Sequence, residues 1–167
     1  MSVAVARDEP PLGAAEHHPR ATSYRAGSTV SEPGPAQRRG VSGPRLVLIA
    51  DDHRGTRQSL ADIMKAEGYL VVEAEDGRAA LGVLAASSVD VLLLDLAMPH
   101  VDGIEVLRQI DSPPPVVIVY SAFDYYEPDE VQGQVGFKVF RSLRKPVAPP
   151  RLVSVVADAI GELDRFD

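Results

Sequence analysis

The sequence contains no cysteine and no tryptophan in its 167 residues. Without thiols there is no disulfide framework, no thiolate metal site and no cysteine nucleophile. Long apolar runs are also missing. The longest, Val91 to Leu94 with Leu96 and Met98 beyond it, is broken by Asp95, well short of the ~18 residues that a membrane-spanning helix needs. The first eighteen residues place only scattered aliphatics ahead of their charges, unlike the apolar core of ~7–15 residues in a secretory leader. A cytoplasmic location is therefore expected, with no membrane insertion. Positive charge is scarce, with 17 Lys+Arg against 24 Asp+Glu and a net charge of -7. That balance argues against direct binding of nucleic acid by the chain as a whole. What is present, 45% hydrophobic and 25% charged residues, suits one soluble globular core.

Neither charge nor apolar side chains are evenly spread. Residues 1–44 hold 5 Arg and 4 Asp+Glu together with 6 Pro and 5 Gly, and few large apolar residues. Such a segment buries too little surface to offset the entropy of ordering it, so a disordered N-terminal tail is expected over 1–44. Residues 45–167 carry 12 basic against 20 acidic side chains and form the expected folded domain.

From Arg45 the pattern changes. Leu46 to Ala50 is a branched apolar run of the kind buried on both faces of a sheet, and it ends at Asp51-Asp52. Thr56 to Glu67 places Leu60, Ile63, Met64 and Ala66 at helical spacing before Gly68 stops the helix. Further strands are expected over 69–74, 89–94, 115–120 and 137–143. The remaining helices are expected over 77–87, 103–110, 129–135 and 151–163, with Ala80, Leu81 and Leu84 inward on the second. On the last, Leu152, Val155, Val156, Ala159 and Ile160 face inward. Met98-Pro99 and Asp102-Gly103 read as a turn and a helix start. Five strands alternating with five helices argue for an α/β fold, a parallel sheet covered on both faces.

In such a sheet ligands bind beyond the carboxyl ends of the strands. Asp51 and Asp52 follow the first strand, Asp95 the third, Ser121 the fourth and Lys145 the fifth. Three carboxylates, a hydroxyl and an ammonium are thus delivered to one edge. Gathered carboxylates repel unless a cation joins them, and an oxygen-only ligand set suits a hard divalent ion, most naturally Mg²⁺. An ion, a carboxylate, a hydroxyl and a lysine are the parts needed to place a phosphoryl group on an Asp oxygen.

The stretches LVLIADDHRGTRQSLADIM, EAEDGRAALGVLAASSVDVLLLDLAMPHVDGIEVLRQI, PVVIVYSA and RKP resemble the receiver domain of two-component response regulators. The most specific is the run Asp95-Leu96-Ala97-Met98-Pro99-His100-Val101-Asp102-Gly103-Ile104-Glu105, with an acidic pair 43 residues before it. The resemblance covers nearly all of 45–167. It implies a flavodoxin-like, doubly wound, three-layer fold with strand order 2-1-3-4-5. It also implies that Asp95 is the phosphoacceptor and that Asp52, Asp95 and the Ala97 backbone carbonyl ligate Mg²⁺, assisted by Asp51 through water. Ser121 and Lys145 would contact the phosphoryl group, and Lys145-Pro146 would be a cis peptide. The implied partners are a histidine kinase or histidine phosphotransferase and an unidentified downstream protein; a homodimer is admitted but not required. Apart from its own phosphoryl transfer and dephosphorylation, no dedicated enzymatic activity is expected.

Duller readings compete residue by residue. Asp51 or Asp52 could cap the first helix, Ser121 could be a turn hydroxyl and Lys145 a solvated charge; His53 and His100 read as solvated loop residues. Two departures from the family pattern stand out. The aromatic commonly three residues before the lysine is replaced by Ser142, with Phe140 two residues earlier, and the Gly-Ala that usually precedes the fifth strand is missing. Gly133 and Gly136 weaken the fourth helix. An atypical output face is therefore expected over 123–144. Only Asp164, Arg165, Phe166 and Asp167 follow the last expected helix, so a stand-alone receiver acting through protein contacts is the leading expectation. A receiver fold working independently of phosphorylation is the alternative. An Asp-nucleophile phosphohydrolase is a third, disfavoured because its resemblance would require Asp-x-Asp at the first strand.

Overall fold

The computed structural model describes residues 43–122 and 127–165. The tail expected over 1–44 lies, except for its last two residues, outside the described residues, as do residues 123–126 of the segment expected to be atypical. Within the described residues ten elements alternate: β1 (Leu46–Ala50), α1 (Arg54–Ala66), β2 (Leu70–Ala74), α2 (Gly77–Ala86), β3 (Val91–Asp95), α3 (Gly103–Gln109), β4 (Val116–Ser121), α4 (Pro128–Val135), β5 (Arg141–Arg144) and α5 (Pro149–Leu163). The strands form one parallel sheet in the order β2-β1-β3-β4-β5, as the resemblance implied.

The strand sequences explain the layering. Successive side chains on a strand point to opposite faces. Val47, Ile49, Val91, Leu93, Ile118 and Tyr120 pack on one face against Leu60, Ala61 and Met64 of α1 and Leu152, Val155, Val156 and Ala159 of α5. Leu48, Ala50, Leu92, Leu94, Val117 and Val119 pack on the other against α2, α3 and α4, through Ala80, Ile104, Val106, Leu107 and Val131. The three central strands are apolar on both faces because both faces are covered. Each fully buried Leu, Ile or Val contributes about 1.5–3 kcal/mol.

Differences from the sequence reading lie at element ends. α1 begins at Arg54 rather than Thr56 because the His53 side chain caps it, accepting from the Thr56 amide. Ala66, expected inward, is exposed, and Ala61 is buried in its place. The fifth strand was expected over 137–143; β5 starts at Arg141, four residues later. Gly136, at φ 80°, ends α4 in the left-handed conformation, which glycine adopts without a Cβ penalty. The chain then needs Phe137 to Phe140 to reach the sheet. Asp95 and Ser121 are the last residues of β3 and β4, so both sit on the rigid ladder rather than in a loop.

Candidate functional site

All four expected segments converge at the carboxyl edge of the sheet. β1 leads into Asp51, which is fully buried, and Asp52, which is exposed; β3 and β4 end in Asp95 and Ser121, each 2% exposed. Carboxylate oxygens of Asp51, Asp52 and Asp95 lie within 4.8 Å of one another. Lys145 is brought to them by its backbone, whose N–H donates to the Ser121 carbonyl at 2.8 Å, and the Lys145-Pro146 peptide is cis. Its ammonium donates to Asp51 Oδ2 at 2.8 Å and to Asp95 Oδ2 at 2.5 Å. Lys145 is therefore the counter-ion of the pocket, not a solvated surface charge.

Backbone donors fix the two buried acids. Asp95 Oδ1 accepts from the Ala97 N–H at 2.9 Å, and Asp51 Oδ1 from the His53 N–H at 2.7 Å. Neither Asp51 nor Asp52 caps α1; that role belongs to His53, whose ring was read from sequence as merely solvated. The loop after Asp95 is closed by Gly103, whose amide donates to the Leu96 carbonyl. A Cβ at Gly103 would stand 2.4 Å from the Asp95 carbonyl oxygen and 2.7 Å from Leu96 Cα, so only glycine permits α3 to start this close to the site. Asp102 caps α3 through the Glu105 amide, as the Asp-Gly pair suggested. His100 is exposed and left-handed at φ 68°, an uncommon conformation for a residue with a Cβ.

Tyr120 is the site residue that the sequence reading missed. It lies at the end of the apolar strand expected over 115–120, with no role at the site expected of it. Its hydroxyl donates to Asp51 Oδ2 at 3.0 Å, and its ring carries the Lys145 ammonium 4.6 Å from its centroid. Burial pushes the phenol far above its ordinary pKa, and the charge and hydrogen bond of Asp51 push the same way, with Asp95 adding to them and Arg57 opposing. Tyr120 thus remains a donor. Arg57, also buried, donates to the Asp51 carbonyl at 2.6 Å.

Chemically, the pocket offers oxygen donors of one hard type from three carboxylates, one of them exposed. That donor set fits a small divalent cation. Phe140 is far from it. Its amide bonds the Val117 carbonyl and Arg141 pairs with Ile118, whereas Ser121 pairs with Arg144. At about 3.3 Å per residue, Phe140 sits near the opposite end of the sheet, beside Pro115, Ala159 and Leu163.

The family model of the response regulator receiver domain matches residues 47–157. The chain is 44% identical to response regulator MprA of Mycolicibacterium vanbaalenii over 69 residues, 41% of this chain and 30% of that one. A second MprA, of Mycobacterium avium, is 44% identical over 66 residues; the matched stretch is under a third of these relatives' own length. A CheY-like receiver domain protein from Methanospirillum hungatei superposes with TM-score 0.68 at 22% identity, covering 75% of this chain and all of that one. A Francisella response regulator receiver domain does so with TM-score 0.61 at 28% identity, over 71% and 98%. With a buried carboxylate pair, a strand-end serine and a lysine gathered on a sheet of order 2-1-3-4-5, and a family match spanning more than half its length, this chain belongs to the response regulator receiver domain family of two-component systems.

Proposed function

We propose that this chain accepts a phosphoryl group on Asp95 from the phosphohistidine of a histidine kinase or histidine phosphotransferase and signals through protein contacts. The observation that carries this reading is the Lys145 ammonium, shared between Asp51 and Asp95 at 2.8 and 2.5 Å. It places a positive charge beside the acceptor oxygen, where charge develops in phosphoryl transfer. In the transfer an Asp95 carboxylate oxygen forms the new O–P bond as the N–P bond of the donor breaks, and the imidazole leaves with the electron pair. Asp51, Asp52, Asp95 and the Ala97 carbonyl would hold Mg²⁺, which supplies charge neutralisation at the phosphoryl oxygens when bound.

Other groups have separate tasks. The Ala97 amide keeps the Asp95 carboxylate oriented. Lys145, released from Asp51, pairs with the new phosphoryl charge, and the Ser121 hydroxyl donates to another phosphoryl oxygen. Addition of about two negative charges at this edge biases the flanking loops between two arrangements, which a downstream protein distinguishes. The displaced Phe140 and Ser142 support an output relay built differently from the aromatic one common in the family.

The reading is tested by incubating the full chain with acetyl phosphate and MgCl₂ and measuring intact mass. Wild type should gain one phosphoryl increment and Asp95→Asn none. Absence of the increment on wild type would favour the alternative, an interaction module that works independently of phosphorylation. Sustained turnover of an unrelated phosphate ester would favour a phosphohydrolase.

A further inference from the structure

Asp51 is a fully buried carboxylate that accepts three hydrogen bonds: the His53 amide on Oδ1, and both Lys145 and the Tyr120 hydroxyl on Oδ2. A phenol has one proton to give. Its other neighbour, the Ala50 carbonyl, lies at 3.4 Å, so Asp51 at 3.0 Å is the better acceptor.

We propose that Tyr120 is a positioning residue that sets the affinity of the acidic pocket for a divalent cation, its hydroxyl acting as an internal competitor for Asp51. The inference rests on the reading of Asp51, Asp52 and Asp95 as the cation site. A hydrogen bond to a full carboxylate charge is stronger than one to a carboxylate whose charge a nearby cation already offsets. The hydroxyl therefore stabilises the metal-free carboxylate more than the metal-loaded one, and this difference opposes binding. Lys145 opposes it too, but Lys145 leaves Asp51 when a phosphoryl group arrives, whereas Tyr120 is held by the β4 ladder and by burial against α1 and α5. Its contribution is thus a constant of the fold. The ring has a separate task, carrying the Lys145 ammonium 4.6 Å from its centroid.

Tyr120→Phe separates the two, because it removes the hydroxyl and keeps the ring beneath Lys145. Titration of the full chain with MgCl₂, followed by calorimetry, should show tighter binding in Tyr120→Phe than in wild type. The expected gain is about threefold or more, a fraction of one charge-assisted hydrogen bond. In wild type labelled with ¹³Cζ-tyrosine, the resonance that Tyr120→Phe deletes should shift along the same MgCl₂ saturation curve. A purely structural tyrosine would lower the melting temperature when replaced but would leave both readouts unmoved. Equal or weaker Mg²⁺ affinity in Tyr120→Phe, or a Tyr120 resonance indifferent to Mg²⁺, overturns the inference and leaves the cation site standing. No Mg²⁺ binding by wild type overturns both.

Discussion

Tyr120 shows how one side chain can serve the core and the site together. Its ring packs among the α1/α5 side chains, while its hydroxyl bonds Asp51 and the Lys145 ammonium sits over the ring. The same burial has a consequence for stability. The folded state holds the Tyr120 proton well above the pH at which an exposed phenol loses it, and Tyr69 is raised in the same direction by burial and by Glu67. A raised folded pKa gives stability that is whole below the unfolded value, near pH 10, and that drains as pH rises beyond it. There the unfolded chain binds fewer protons than the folded one. We therefore expect urea-unfolding free energies to be level from pH 8 to pH 9.5 in this respect and to fall above about pH 10. Tyr120 alone contributes at most ~1.4 kcal/mol per pH unit. Tyr120→Phe should make that fall shallower. An unchanged alkaline slope would show that the phenol is not held protonated by the fold.

At the scale of elements, glycines separate positions where the backbone must come close from positions where it merely passes. Gly103 starts α3 against the carbonyl of Asp95, with no room for a Cβ, whereas Gly133 in α4 has nothing within 4 Å of one. Gly103→Ala should cost about 2–3 kcal/mol by forcing the β3–α3 loop outward and should slow acetyl-phosphate labelling of Asp95. Gly133→Ala should stabilise by roughly 0.5–1 kcal/mol, because it removes backbone entropy from a helix interior. Thermal melts and label kinetics on the two variants test both; a stable, fully active Gly103→Ala would refute the packing argument. This contrast also marks what could be read from residues alone. The acids, the serine and the lysine were legible because each follows an apolar strand, and strand ends share an edge. The start of β5 was not, since Phe137 and Val139 are apolar ahead of the strand, and Phe140 only makes the first amide bond to β4, at the Val117 carbonyl. They pack as an approach to the sheet, and apolar periodicity does not distinguish approach from strand. Tyr120 escaped for a related reason: Val116 to Tyr120 is a continuous apolar run buried along its length, and only the folded sheet, in which β3 lies between β4 and β1, reveals that the Tyr120 hydroxyl reaches Asp51. The His53 cap was hidden because histidine is not among the usual capping residues.

For the molecule as a whole, charge is concentrated where the fold can use it. Residues 45–167 carry 20 acidic and 12 basic side chains, and three of the acids meet in one pocket opposite a single ammonium. Opposed carboxylates held together by the sheet store repulsion that the folded state must carry and the unfolded chain does not. A divalent cation that binds only the folded pocket relieves it, and its binding energy becomes folding energy by mass action, about 2.7 kcal/mol at a hundredfold excess over Kd. For a domain of about 120 residues that corresponds to a rise in Tm of roughly 10 °C. Asp52 provides the control because it is exposed: Asp52→Asn removes a proposed ligand without disturbing the core. MgCl₂ should raise the Tm of wild type and leave Asp52→Asn nearly unmoved, and NaCl at matched ionic strength should not reproduce the rise, since screening acts weakly on buried charges. An equal shift in both proteins would place the stabilising ion elsewhere on the acidic surface. A shift confined to wild type would tie the domain's excess of negative charge to the pocket that surrounds Asp95.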